Sequence, residues 1–263
     1  MAAGDAGTFF HKRTALVARG LYERLAFALA LLAFGIGGLT YTVTGPLLYL
    51  VLPRRIGAAL GQRVMMALFR VFVGLLRLLG LLRCDLRAID ALRDGPPVVI
   101  APNHPTYLDA LLVVSRLPNV ACIMKADVLD NVFLGGGAKL AGYIRADAPK
   151  EMIRAGVDAL RAGRHVLFFP EGTRTVRHPV NPLRGGFAAI ARLAGAPVQT
   201  VLIEAESGYA RKGWPLLRRP EFPLVYRVRL GKRFAPRDES KTLVADVEAY
   251  FRRELGNAGS NGT

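Results

Sequence analysis

In the segment Asn103-His104-Pro105-Thr106-Tyr107-Leu108-Asp109, a histidine stands five residues ahead of an aspartate. The apolar run Val98-Val99-Ile100-Ala101 comes just before it and reads as a short buried strand. Pro102 to Pro105 reads as the turn leaving that strand, and a helix starting near Thr106 would bring Asp109 back under the imidazole. A carboxylate so placed accepts the proton on one ring nitrogen and leaves the other free as a base. A second polar loop, Pro170-Glu171-Gly172-Thr173-Arg174, follows the apolar stretch Val166-Leu167-Phe168-Phe169. Arginine binds phosphate through paired N–H groups, so this loop suits an anionic ligand as well as it suits an ordinary turn with a surface ion pair.

These two loops need a scaffold that sets them side by side. Strand-like runs at 98–101, 120–124, 165–169, 198–203 and 223–230 are separated by helical patterns at 106–115, 150–162 and 186–194, and a further amphipathic pattern follows at 241–255. Gly163 falls where a helix cap belongs. The alternation predicts an α/β fold, a mostly parallel central sheet flanked by helices, with an N-terminal apolar helical segment that associates with membrane. In such sheets, sites form in loops beyond the carboxyl ends of the strands, where both polar loops lie. The last residues, 256–263, read as a disordered tail.

No charged residue occurs from Leu25 to Leu52, a run longer than the ~20 residues needed to cross the hydrocarbon. Gly35, Gly37, Gly38, Gly45 and Pro46 weaken it as one straight helix, so a helix broken near Gly38 that re-enters the same face is the alternative to a span. Lys12, Arg13, Arg19 and Arg24 precede the run and Arg54 and Arg55 follow it, so flanking charge sets no orientation. From Ile56 to Leu82, Arg63, Arg70 and Arg77 recur every seven residues and form one narrow basic stripe on an otherwise apolar helix. That pattern fits an interfacial helix whose guanidinium groups reach lipid phosphates, or a core helix with a solvated edge.

The formal net charge of +16 and the mean hydropathy of +0.28 together point to an anionic membrane surface or an anionic substrate. The excess arginine is scattered through apolar segments with no basic tail or zinc-finger spacing, which argues against nucleic acid. Cys84 and Cys122 are far apart and read as small buried hydrophobes, with no metal site. None of the four serines sits in Gly-x-Ser-x-Gly, and Gly135-Gly136-Gly137 lacks the flanks of a nucleotide loop.

Taken together, the two loops resemble the glycerolipid acyltransferase family typified by 1-acylglycerol-3-phosphate O-acyltransferases. His104 and Asp109 match its His-x-x-x-x-Asp block, preceded by Asn103, and Phe169 to Arg174 match its Phe-Pro-Glu-Gly-Thr-Arg block without a change. Two blocks depart. Gly142-Tyr143-Ile144-Arg145 is compressed, and Ala196-Pro197-Val198-Gln199-Thr200-Val201 has Thr200 where a second proline is usual. The resemblance implies transfer of a fatty acyl group from an acyl-CoA or acyl-carrier-protein thioester to the hydroxyl of a lysophosphatidate-like acceptor, with no bound cofactor. It implies His104 and Asp109 as catalytic residues, with Asn103, Glu171, Gly172, Thr173, Arg174 and Arg145 around the acceptor. It also implies membrane lipids as partners and the cytoplasmic face of the inner membrane as location. On this reading 1–24 is a basic N-terminal segment, 25–83 the membrane-associating helices and 84–255 the acyltransferase domain. The runner-up readings are a different lyso-lipid acceptor and, in another class, a non-catalytic anionic-lipid-binding protein.

Overall fold

Short apolar segments that are buried on both faces form the strands in the middle of the sheet. A computed structural model describes residues 4–131, 135–215 and 217–258. Its seven strands are β1 (Leu82–Asp85), β2 (Val99–Pro102), β3 (Val120–Met124), β4 (Ile144–Arg145), β5 (His165–Leu167), β6 (Val198–Ala205) and β7 (Leu224–Phe234). They lie in the order β1-β7-β6-β2-β5-β3-β4. Every pairing is parallel except β6 with β7. β2 and β5 are therefore parallel neighbours, and the two polar loops leave the same edge of the sheet side by side.

Alternation along β2 divides the core. Ile100, with Val98 just ahead of the strand, faces one layer, while Val99 and Ala101 face the other; all four are fully buried. One layer holds α1 (Gly4–Val51), α2 (Arg54–Leu78), α3 (Arg87–Asp90) and α4 (Leu108–Val114). The other holds α7 (Pro149–Arg161), α8 (Gly186–Ala194) and α9 (Ser240–Ala258). Two short helices, α5 (Ala126–Leu129) and α6 (Gly135–Leu140), lead from β3 to β4.

The N-terminal run does not break at its glycines. α1 continues past Gly38 and through Pro46 to Val51, so the re-entrant alternative is not what forms. Gly45 serves close packing instead, while Gly35 and Gly37 face open space. A side chain on Gly45 would meet the Gly136 carbonyl oxygen at 2.8 Å, and one on Gly61 would meet the Ala141 backbone nitrogen at 2.6 Å. The glycine run opening α6 is thus the surface on which α1 docks, and α2 docks on the helix's other end at Leu140 and Ala141.

Leu25, Leu29, Leu32, Ile36, Leu39, Val43, Leu47 and Leu50 recur at three- and four-residue intervals and are all exposed. They form one apolar stripe along about 38 Å of helix, far larger than a soluble surface ordinarily shows. Both α1, over Leu16–Val51, and α2 are long and apolar enough to cross a membrane, and only 22% and 28% of their most apolar windows are buried. The helices are consistent with membrane association. Of the expected disordered tail 256–263, residues 256–258 are the helical end of α9; residues 259–263 lie outside the described residues.

A buried histidine ties the sheet at its far end. His165 is fully buried, its Nδ1 accepts the Val98 N–H at 3.2 Å, and its Nε2 has no partner among the described residues. Burial pushes its pKa below the ordinary histidine value, with nearby Arg233 adding to the fall and the Leu92 carbonyl opposing it. The folded protein therefore holds this ring neutral where the unfolded chain, with a pKa of about 6.5, takes up a proton. Its contribution to stability is complete above pH ~6.5 and is lost as pH falls below that, at up to ~1.4 kcal/mol per pH unit. His165→Asn keeps an acceptor near the Nδ1 position and does not titrate. Thermal unfolding in neutral detergent from pH 5 to 8 is expected to show a shallower acid slope for that variant than for the wild type.

Candidate active site

The turn after β2 is held rigidly. Asn103 is buried; its side-chain oxygen accepts the Ile203 N–H at 2.7 Å and its amide donates to the Ile203 carbonyl at 2.8 Å. It continues the pairing of β2 with β6 beyond the strand end. Asn103 was expected near the acceptor, but its hydrogen-bonding groups are engaged inside the fold. Helix α4 starts at Leu108 rather than Thr106, which places Asp109 in its first turn.

Asp109 is fully buried and meets three donors. Its Oδ2 lies 2.9 Å from His104 Nδ1 and accepts the Thr106 N–H at 2.7 Å. Its Oδ1 accepts the Thr106 hydroxyl at 2.6 Å, and that hydroxyl accepts from the Tyr226 hydroxyl at 3.0 Å. A buried chain thus runs from Tyr226 on β7 through Thr106 to Asp109 and on to the imidazole. With Nδ1–H donated to Asp109, Nε2 is the basic nitrogen, and it has no partner among the described residues. The His104 side chain keeps 17% of its surface and stacks on Phe169, ring centroids 4.0 Å apart.

The second loop grips the first by its backbone. Glu171, 3% exposed, accepts the His104 N–H at 2.8 Å and the Thr175 hydroxyl at 2.8 Å through Oε1, and the Asn181 N–H at 2.9 Å through Oε2. The Thr175 N–H donates to the His104 carbonyl at 2.7 Å. Burial raises the Glu171 pKa above the ordinary carboxylate value, and its hydrogen bonds work against that rise. The resemblance implied Glu171 around the acceptor; in the fold its oxygens hold His104 and Asn181 in place.

Gly172 has φ +65°, and a Cβ there would stand 2.6 Å from Arg184 Nε, so a bare backbone lets that arginine lie across the loop. The Thr173 side chain has no partner among the described residues and is half-buried. Arg174 donates from one terminal nitrogen to the carbonyls of Ala210 and Arg211 at 2.9 and 2.8 Å, and stacks over the Tyr107 ring at 3.5 Å. Its remaining N–H groups and the whole Arg184 guanidinium have no acidic partner among the described residues. Arg184, at the loop's far end, escaped the sequence reading because it lies ten residues beyond Arg174.

Arg145 is not brought to this cluster. It ends β4 at the sheet edge, three strand spacings or about 14 Å from β2. Its guanidinium is taken by Asp147 at 3.0 Å and by Asp130 at 3.2 Å. The backbone N–H groups at the start of α4 are also engaged: Thr106 to Asp109, Tyr107 to the Ala210 carbonyl, and Leu108 to the Thr106 hydroxyl. Thr106 and Tyr226, like Arg184, are residues sequence reading missed. Thr106 could have been found from its place three residues before Asp109, where a turn hydroxyl meets a carboxylate; Tyr226, 117 residues downstream of Asp109, carried no local signal.

A parallel α/β sheet with a His–Asp pair and an arginine-bearing loop at its carboxyl edge has counterparts among proteins of known class. Residues 83–204, which carry both loops, match the family model described as Acyltransferase. The chain is 23% identical over 184 residues to a 1-acyl-sn-glycerol-3-phosphate acyltransferase of Pseudomonas aeruginosa, covering 68% of this chain and 69% of that protein. It is 24% identical over 127 residues to the chloroplastic 1-acyl-sn-glycerol-3-phosphate acyltransferase BAT2 of Brassica napus, covering 46% of this chain and 37% of that one. Its fold superimposes on the crystal structure of the 1-acyl-sn-glycerophosphate (LPA) acyltransferase PlsC from Thermotoga maritima with a TM-score of 0.66 at 18% identity, covering 92% of this chain and 97% of that one. Together these likenesses support the glycerolipid acyltransferase family for this chain.

Proposed function

We propose that this acyltransferase acylates the free hydroxyl of a lysophosphatidate-like acceptor to give phosphatidate, taking the acyl group from acyl-CoA or acyl-carrier protein. The observation that carries the reading is the buried, three-donor Asp109 aligned on His104, with Nε2 left open. A protein that only binds lipid needs no such base. Alcohols are weak nucleophiles near neutral pH, and an imidazole is matched to the task. Nε2 takes the proton from the acceptor hydroxyl as its oxygen attacks the thioester carbonyl. Asp109 stabilises the imidazolium that forms. The tetrahedral intermediate then expels the thiolate, which takes the proton back from Nε2. The acceptor supplies the nucleophile, so no acyl-enzyme forms.

Arg174 and Arg184 supply the positive charge for the acceptor phosphate, because both keep unpaired N–H groups beside the loop that holds His104. The exposed apolar stripe of α1 supports a seat on a bilayer, which we assign to the cytoplasmic face of the inner membrane, where both thioester donors are made available. Purified protein offered lysophosphatidate, other lysophospholipids and uncharged monoacylglycerol, with each donor in turn, is expected to favour lysophosphatidate in product yield by mass spectrometry. Arg174→Ala is expected to raise KM for phosphate-bearing acceptors about 10- to 100-fold, the worth of a charge-assisted hydrogen bond. An equal rise for monoacylglycerol would remove its assigned role.

A further inference from the structure

A second basic site stands apart from the catalytic loops. Between α2, β1 and the C-terminal end of α4 lies a cavity of about 380 Å³. Arg70, Arg77, Arg87 and Arg116 line it, with Asp85 and the thiol of Cys84. None of the residues 103–109 or 169–174 contributes to it. Two of the four arginines are neutralised: Arg116 pairs with Asp90, and Arg87 with Asp85 at 3.5 Å. Arg70 and Arg77 have no acidic partner among the described residues. They are seven residues apart, two turns along one face of α2, so both guanidinium groups open to the same space. Each is followed by an exposed apolar residue, Val71 at 72% and Leu78 at 84%. An unpaired cation pair beside bare hydrocarbon surface matches a molecule that is anionic at one end and apolar at the other.

We propose that this cavity binds the phosphate of an anionic phospholipid, with Arg70 and Arg77 as its ligands and the Val71 and Leu78 surface against its acyl chains. The shared chemistry is a phosphate, and the apolar flank selects the lipid over the free ion. The site lies on a helix that is itself long and apolar enough for a membrane, where such lipids are at hand. It would be filled whether or not the acceptor of the reaction is lysophosphatidate.

Cys84 provides a reporter inside the cavity, and Cys122 does not interfere because it is 2% exposed and burial pushes its thiol up to about 12. Burial also raises the Cys84 thiol, against the pull of Arg77 and Arg116, so labelling is done at pH 8.5. Full-length protein in a neutral detergent is treated with N-ethylmaleimide, and modification of Cys84 is followed by peptide mass. Dihexanoyl phosphatidylglycerol is expected to slow the reaction at least about 5-fold, while dihexanoyl phosphatidylcholine and inorganic phosphate at the same concentration leave it unchanged. In the Arg70→Gln/Arg77→Gln protein the protection is expected to vanish, with acyl transfer in detergent retained. Equal rates with the two lipids would overturn the proposal. So would protection that survives the double substitution, protection by inorganic phosphate alone, or a Cys84 thiol that fails to react even without lipid.

Discussion

Replacing His104 with alanine is expected to lower kcat by about 10³-fold or more while the protein stays folded and bound to lipid. The ring makes one side-chain hydrogen bond, to Asp109, and one stack, on Phe169, so its loss opens a small space at a partly exposed position and removes little from the core. Asp109→Asn tests the same machinery from the other side and is expected to cost a comparable factor with KM nearly unchanged. Asp109 accepts from three donors, and asparagine has only one oxygen to offer. If the new amide nitrogen faces Thr106 Oγ1, it competes with the donors Tyr226 and Leu108 for that oxygen. If it faces His104, Nδ1 must accept, the proton moves to Nε2, and the base is lost. The first arrangement removes the negative charge that stabilises the imidazolium, and the second removes the base itself. Initial rates and circular dichroism on both variants check this; an Asp109→Asn enzyme within 10-fold of wild type would leave the carboxylate without its assigned work.

The strands of the sheet's centre were legible because each is a short apolar run bounded by turn residues. The elements that escaped are those the period rules cannot reach. β4 is two residues long and pairs only because β3 offers an edge. β1 carries Arg83 and Asp85 on an edge strand, where an apolar signal is diluted by solvent-facing positions. α1 stays helical through Pro46, next to Tyr41, Thr42 and Gly45 where it packs on α6, because that tertiary packing overrides weak local propensity. At the site, His104 and Asp109 were legible as a pair, since five residues across a turn and a helix start fix their approach. The work of Glu171, Asn103 and Arg145 was not, because each is decided by what lies opposite in space: the His104 N–H, the Ile203 backbone and the Asp130–Asp147 pair. Residue type told that these groups seek partners, not whether the partner is a substrate or the chain itself.

Glu171→Ala is expected to reduce kcat by about 10²-fold and to destabilise the protein by about 2 to 6 kcal/mol, leaving KM for the acceptor nearly unchanged. Two backbone N–H groups, those of His104 and Asn181, lose their acceptor, and each buried donor left unpaired costs about 1 to 3 kcal/mol. The catalytic ring then loses the anchor on its own backbone, and a shift of about 1 Å at a reacting group is enough for a hundredfold loss. Glu171→Gln separates the two roles the residue could play. Its oxygen can still accept from His104 N–H and the Thr175 hydroxyl, while its amide opposes the Asn181 N–H, so one contact of three is lost. The glutamine enzyme is therefore expected to recover most of the kcat that alanine loses. A carboxylate that instead touched the acceptor would show itself as a rise in acceptor KM in both variants, with kcat and the unfolding midpoint little changed. Because the carboxylate is 3% exposed and each oxygen already meets a donor of the chain, the kcat effect is the one the geometry dictates.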